Sequence, residues 1–261
     1  MRHEINNKDI FFYGDVHGNV FNLLFDIETA PDGSAFIILG DIGVGFKAIY
    51  KNYTPTEEEQ EYNAIKFFKC FQRVLEDTAK KNTRIYIFRG NHDNPVYFTG
   101  ELKAKIENEF PMFTIIEDYD EVVLNDGKVA LVIPGGISVD RARRIENESY
   151  WKDELIHYDE LDKINKEYEI ILSHSGPTPQ TIVENDKNGK PSIVTYYEKL
   201  DSELRNTLAE EAAYWDKVLK KIKPKNIFCG HYHVSEENTI DNCKIKFLDI
   251  DEPYKYETEH K

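Results

Sequence analysis

Apolar residues along the chain fall into short runs, each stopped by Gly, Asp or Asn. Runs that are β-branched or aromatic, and apolar on both faces, predict strands inside a layered α/β domain. They occur at Ile10–Tyr13, Ala35–Leu39, Arg84–Phe88, Val129–Ile133, Glu169–Leu172 and Asn226–Cys229. Further strands are predicted at Met112–Ile116 and Glu121–Leu124. The second of these joins Val129 through Asn125-Asp126-Gly127, whose Asp-Gly step favours a hairpin. Alternation over Lys244–Ile250 predicts a last strand.

Between these runs the period becomes helical. Asn19 stands where it could cap a helix over Val20–Thr29. Thr54-Pro55-Thr56-Glu57 supplies a cap, a first-turn proline and a glutamate three residues on. The helix it opens runs from about Thr56 to Lys81, with Ile65, Phe68, Phe71, Val74 and Leu75 on its apolar face. Two more helices are predicted over Leu155–Lys166 and Asp201–Lys221. No repeat, low-complexity tract or linker divides the chain, so residues 1–261 are expected to form a single domain. Residues 43–62 and 176–200 stand apart from this order. The latter carries turn chemistry at Gly176-Pro177, Thr178-Pro179, Asn188-Gly189 and Lys190-Pro191. Loops at strand C-termini carry the sites of α/β proteins, so both excursions are expected at a substrate-facing rim.

Composition narrows the setting. With 40% hydrophobic and 13% aromatic residues, the chain of 261 residues can build a sizeable core. Cys70, Cys229 and Cys243 show no paired spacing, which argues against disulfides and a zinc–thiolate site and fits a reducing compartment. They are expected as small core residues. The polar stretch Met1–Asp9 lacks a signal peptide's apolar segment and no run reaches the length of a membrane span, so a cytoplasmic protein without a membrane partner is expected. The net charge of −15 opposes the phosphate contacts by which long nucleic acids are bound. Bound cations would reverse that sign locally and draw in a small anionic ester; solubility alone is an equal explanation of the acidity. Nothing points to a particular protein partner.

Five short motifs follow predicted strands: Asp15-Val16-His17, Gly40-Asp41, Gly90-Asn91-His92-Asp93, Ser173-His174 and Gly230-His231-Tyr232-His233. Singly each is weak, since an Asp-x-His reads equally well as a capping carboxylate beside a satisfied histidine. Together they take five of the eight histidines and place them on one edge of the sheet. Asp15, His17, Asp41, Asn91, His174, His231 and His233 offer the nitrogen and oxygen donors that hold a pair of divalent cations. Such donors suit Mn, Fe, Zn or Ni better than copper(I), and four histidines argue against Mg or Ca. His92 follows Asn91 directly and is free for catalysis. Asp93 is expected to orient its ring and raise its basicity. Arg89 precedes the third motif, while Arg141, Arg143 and Arg144 follow the turn Gly135-Gly136-Ile137-Ser138-Val139-Asp140. A guanidinium matches phosphate geometry, so Arg89, Arg141 and Arg144 are candidate substrate contacts. A solvated helix start is the alternative for the later three. Tyr150 and Trp151 are expected in the core, as is Tyr232, by strand alternation.

The ordered set closely resembles the motifs of the calcineurin-like metallophosphoesterase superfamily, from Asp15 to His233, with every ligand position filled. The stretch Gly135-Gly136-Ile137-Ser138-Val139-Asp140-Arg141 is similar to ones in its bacterial and phage members. The resemblance implies an α/β fold, a four-layer α/β/β/α sandwich with two mixed β-sheets flanked by helices. It implies one metal held by Asp15, His17, Asp41 and His233 and a second held by Asp41, Asn91, His174 and His231. Asp41 would bridge the ions, which would share a water or hydroxide that attacks the ester. Cations about 3.5–4 Å apart lower the pKa of such a water and bind the ester oxygens, and a bridging carboxylate offsets their repulsion. His92 would then protonate the leaving oxygen or stabilise transition-state charge.

The implied activity is hydrolysis of a small phosphomonoester or phosphodiester. The chain departs from the serine/threonine protein phosphatase branch, which has Asp-Arg-Gly after its second motif and glutamate in its third. Here Gly40-Asp41 continues Ile42-Gly43-Val44, and the third motif ends in Asp93. A phosphoprotein phosphatase is therefore the alternative rather than the leading reading. A non-catalytic scaffold, which usually loses ligands, is the other.

Overall fold

Every run predicted as a strand contributes one in the computed structural model, which describes residues 1–46, 68–76, 80, 82–187 and 193–257. In chain order the strands are β1 (Arg2–Glu4), β2 (Ile10–Tyr13), β3 (Ala35–Ile38), β4 (Arg84–Ile87), β5 (Phe113–Ile115) and β6 (Glu121–Val123). They continue as β7 (Val129–Ile133), β8 (Ile170–Ser173), β9 (Asn226–Cys229), β10 (Glu236–Ile240), β11 (Cys243–Phe247) and β12 (Pro253–Lys255). Five build one sheet in the order β12-β2-β3-β4-β5, and seven build another in the order β1-β6-β7-β8-β9-β11-β10. Both are mixed. The pairs β12/β2, β6/β7 and β10/β11 are antiparallel and the rest parallel.

Strand alternation assigns successive side chains to different layers. Ile10, Phe12, Ala35, Ile37 and Tyr86 of the smaller sheet meet Ala130, Val132, Ile170, Leu172 and Phe228 of the larger one, filling the space between them. On the outer face of the smaller sheet, Phe36, Ile38, Ile85 and Ile87 pack under the helix Val20–Thr29 and the helical residues 68–76. On the outer face of the larger sheet, Leu131, Ile133, Ile171 and Ile227 pack under Tyr214, Trp215, Val218 and Ile222 of the helix Leu204–Ile222. The result is the expected four-layer α/β/β/α sandwich.

Several expectations are corrected. The helix expected over Leu155–Lys166 is a single turn, Glu160–Lys163, after a 3-10 turn at Lys152–Glu154. Glu154 turns inward there, and its buried carboxylate engages Ser138 rather than a helix face. The helix Gly100–Glu109 escapes the pattern because its apolar residues are few. Short helices at Gln180–Lys187 and Ile193–Tyr197 occupy part of the 176–200 excursion. Asn19 precedes Val20–Thr29 without a side-chain capping bond. The strands β1, β10 and β12 lie outside the predicted runs, being short and largely polar. Cys229 and Cys243 are buried, but Cys70 is exposed. The Thr54–Glu57 cap, Ile65, and residues 47–62 of the first excursion lie outside the described residues.

Candidate metal centre

Asp15, Asp41 and Asn91 leave the ends of β2, β3 and β4 in one sheet, and His174 and His231 leave β8 and β9 in the other. The site is therefore built where the two sheets meet. Its backbone is unusual. His17, Asp41, His231 and His233 take left-handed conformations, with φ of 49°, 50°, 69° and 52°. Each such non-glycine residue costs on the order of 1–3 kcal/mol, a strain that clusters at functional sites. Glycines admit the two carboxylates. A Cβ on Gly90 would lie 2.1 Å from Asp41 Oδ1, and one on Gly230 would lie 2.1 Å from Asp15 Oδ1. Through those openings the His92 amide donates to Asp41 Oδ1 (2.7 Å) and the His231 amide to Asp15 Oδ1 (2.9 Å).

The seven candidate ligands come together as two groups. In the first, His233 Nε2 lies 3.1 Å and His17 Nε2 3.5 Å from Asp15 Oδ2, and the two ring nitrogens are 2.9 Å apart. In the second, Asn91 Oδ1 stands 2.8 Å from His174 Nε2 and 2.9 Å from His231 Nδ1. Asp41 touches both groups, with Oδ1 3.2 Å from His174 Nε2 and Oδ2 3.8 Å from His17 Nδ1. The Leu39 carbonyl faces His174 Nδ1 at 2.8 Å, an arrangement that leaves Nε2 available to a cation.

Burial opposes charge on Asp15 and Asp41, yet the surrounding histidines hold both carboxylates well below the ordinary range. For His174 burial is outweighed by Asp41 and Asp15, which raise it to about 10. His231 is pushed down to about 3 by burial and by His174. Buried carboxylate and amide oxygens and imidazole nitrogens converge here on shared points with no thiolate among them, a donor set that suits divalent cations. Each of the triads Asp15–His17–His233 and Asp15–Asp41–His174 keeps its ligand atoms within 4.8 Å of one another. The residues fit the implied metals.

His92 sits on the rim of this group, its Nε2 4.0 Å from Asp41 Oδ2 and its ring stacked on Phe46 at 4.6 Å. Its partner is not Asp93. The Asp93 carboxylate accepts from the Gly43, Val44 and Gly90 amides and so ties the second motif to the third. Arg144 Nη2 instead lies 2.7 Å from His92 Nε2. A guanidinium only donates, so that nitrogen accepts and carries no proton. Burial, reinforced by Arg144 and His17, lowers His92 to about 4, the opposite of the raised basicity expected from Asp93.

The candidate arginines separate. Arg89 is 2% exposed. It grips Asp118 with two bonds and donates to the Asp153, Glu154 and Leu155 carbonyls, which uses its donors for structure. Arg141 is engaged by Asp201 and Thr207. Arg143 is exposed and lies over Tyr196. Only Arg144 of these reaches the site, with Asp140 at 2.6 Å and the Phe46 ring at 5.4 Å. Trp151 is buried, 6.1 Å from Phe46, and Tyr232 packs against Phe247 with its hydroxyl on the Gly176 carbonyl. Phe46 and Glu154 carry no signal in the sequence. Ser138 stands out there only as part of the glycine turn.

The family model of calcineurin-like phosphoesterases matches residues 8–235. Among solved structures, TT1561 of Thermus thermophilus is similar in fold at a TM-score of 0.51 and 13% identity, over 94% of this chain and 90% of that one. A second structure reaches a TM-score of 0.55 at 13% identity, over 94% and 91%. No curated protein matches the chain.

Proposed function

The chain belongs to the calcineurin-like phosphoesterase family, and from that premise we propose that it is a dinuclear metal-dependent hydrolase of small phosphate esters. The observation that carries this reading is the placement of Asp41, one carboxylate with an oxygen toward each ligand group. Asp15, His17, Asp41 and His233 would hold one cation, and Asp41, Asn91, His174 and His231 the other. Bound there, two divalent cations of Mn, Fe, Zn or Ni type would supply a polarised water as nucleophile and neutralise the phosphoryl oxygens.

The chain's own groups do the rest. Arg144 would turn from His92 to a phosphoryl oxygen, since a guanidinium pairs more strongly with an anion than with a neutral ring. That frees His92 Nε2 to take a proton and pass it to the leaving oxygen, and the charge of a bound ester favours the protonated ring. Phe46 stacks on the opposite face and keeps the ring in place. A cleft of about 450 Å³, lined by Asn94, Val96, Asn147, Trp151 and Lys152, shares Trp151 with this stack and suits a small leaving group. The phosphoprotein alternative gains no specific support, because Val44 stands where that branch carries the aspartate of its Asp-Arg-Gly, and its amide serves to bind Asp93.

Because ligands from both sheets complete the centre, residues 1–261 read as one catalytic unit. No helix among the described residues is long and apolar enough to cross a membrane. The free cysteines support a cytoplasmic location.

The test is hydrolysis of a chromogenic phosphomonoester and its bis-ester by metal-stripped protein refilled with Mn²⁺. Metal-dependent turnover of either supports the proposal, and the faster one assigns the ester class. Two bound cations without turnover of either would favour a non-catalytic scaffold.

A further inference from the structure

Behind the ligands lies a buried polar chain whose inner members, Ser138 and Glu154, have no part in the proposed reaction. Ser138, 1% exposed, has three side-chain partners at its hydroxyl: Asn91 Nδ2 at 3.0 Å, Arg144 Nη1 at 2.9 Å and Glu154 Oε2 at 2.8 Å. Asn91 and Arg144 present only donors there. A serine hydroxyl has one proton and two lone pairs. Both lone pairs are taken by those donors, so the proton must go to Glu154. The second Glu154 oxygen accepts from the Ser138 amide at 2.8 Å, and the residue is fully buried. In either protonation state each of its oxygens keeps a lone pair for Ser138.

The position of Glu154 is itself fixed. Arg89 donates to three successive carbonyls around it, at Asp153, Glu154 and Leu155. The Glu154 carbonyl also accepts from Gly136, and the Arg89 carbonyl accepts from Gly135. The residue that directly precedes the third motif thus anchors the loop that carries Glu154.

We propose that Glu154 is a positioning residue: by taking the Ser138 proton it fixes the direction of the Asn91 amide and the place of the Arg144 guanidinium. An asparagine amide can face either way, and its network decides. With Ser138 obliged to accept, Nδ2 turns to Ser138 and Oδ1 faces His174 and His231, where an acceptor is needed for a cation. The same oxygen holds Arg144 beside His92. One buried carboxyl therefore orients a ligand of one cation and the group facing the ester. The inference rests on the metal-dependent reading proposed above.

The test is calorimetric titration of metal-stripped protein with Mn²⁺, with KM and kcat measured on the refilled protein. The variants are Glu154→Gln, Ser138→Ala and the double variant. Glu154→Gln keeps the shape but turns one of its two acceptors into a donor, so the side chain can no longer accept from both the Ser138 hydroxyl and the Ser138 amide. It should weaken one of the two Mn²⁺ equivalents by about 10–100-fold, the usual range for groups behind a metal ligand, and leave the other unchanged. KM should rise with it through Arg144. Ser138→Ala should produce the same selective loss by itself, which keeps the test decisive if Glu154→Gln folds poorly.

In the Ser138→Ala background, adding Glu154→Gln should change nothing further, because its effect passes through that hydroxyl. Equal weakening of both equivalents, additive losses, or wild-type binding in Ser138→Ala would each overturn the inference. Failure of the underlying reading is distinguishable. It would appear in the unmodified protein as absence of Mn²⁺ uptake or of turnover, and would overturn both.

Discussion

The two ligand groups use similar donors but are built differently. His233 of the first group is 44% exposed and His17 21%, whereas His174 of the second is fully buried. The second group is braced from behind, by Leu39 on His174 and Ser138 on Asn91. Among the described contacts, His17 and His233 touch chiefly each other, the aspartates and His92. Burial strengthens every charge interaction in the second group and makes each missing partner expensive. A fixed group beside an open one suits a centre in which one half must keep its geometry while substrate and water exchange at the other. Asp41 belongs to both.

The largest expected effect therefore falls on Asp41. Asp41→Asn should weaken both cations together and take ester hydrolysis to background; retention of one site at full affinity would show that the carboxylate does not serve both. Next comes His92→Ala. It should leave both cations bound and reduce kcat by about 10²–10⁴-fold. The loss should be greater for an alkyl leaving group than for an aryl one, since only a poor leaving group needs the proton. An equal loss for both would assign His92 to charge stabilisation instead.

A third pair of variants probes the contrast in burial. In metal-free protein, His174→Ala removes one partner of a buried ion pair and should cost roughly 3–5 kcal/mol in urea unfolding. His233→Ala removes a half-exposed ring and leaves the buried Asp15 with His17 and the His231 amide as partners, so it should cost clearly less. Equal costs would erase the distinction between the two groups.

The smallest effect is one of pH and comes from Glu211, which lies under the second group. Its carboxyl accepts from Ser175, the residue after His174, and burial pushes it up to about 7 despite that bond. A carboxyl raised on folding contributes stability below its unfolded value near 4.5 and loses it as pH rises through about 7. Thermal melts of metal-free protein should fall across that window. Glu211→Gln, neutral at every pH, should flatten the fall.

Legibility in the sequence followed the same division between repeated pattern and single contact. The runs Ile10–Tyr13, Val129–Ile133 and Asn226–Cys229 appear as strands with unchanged bounds, because burial on both faces demands a continuous apolar run. The edge strand Glu236–Ile240 is half exposed and mostly polar, so its residues carry no such demand. The seven candidate ligands meet because strand ends of both sheets converge at one place, rather than on the single sheet edge the motifs suggested. What lay behind them was not legible. Arg89 and Arg144 both stand close to glycine motifs, and it is Asp118, 29 residues from Arg89, together with the Asp153, Glu154 and Leu155 carbonyls, that commits Arg89 to structure. Asp93 follows His92 in the chain, yet the amides of Gly43 and Val44 claim its carboxylate from another loop. Glu154 reads locally as the residue before a helix, and its inward turn depends on Arg89 and Ser138 together. These contacts are set by tertiary packing, on which a local pattern has no bearing.

The most direct measurement is stepwise refilling of metal-stripped protein with Mn²⁺, counting bound ions while following hydrolysis of the phosphomonoester and the bis-ester. A centre shared through Asp41 predicts little turnover at one ion per chain and a steep rise as the second binds. Full turnover with a single ion, or two ions bound with neither ester cleaved, would contradict it.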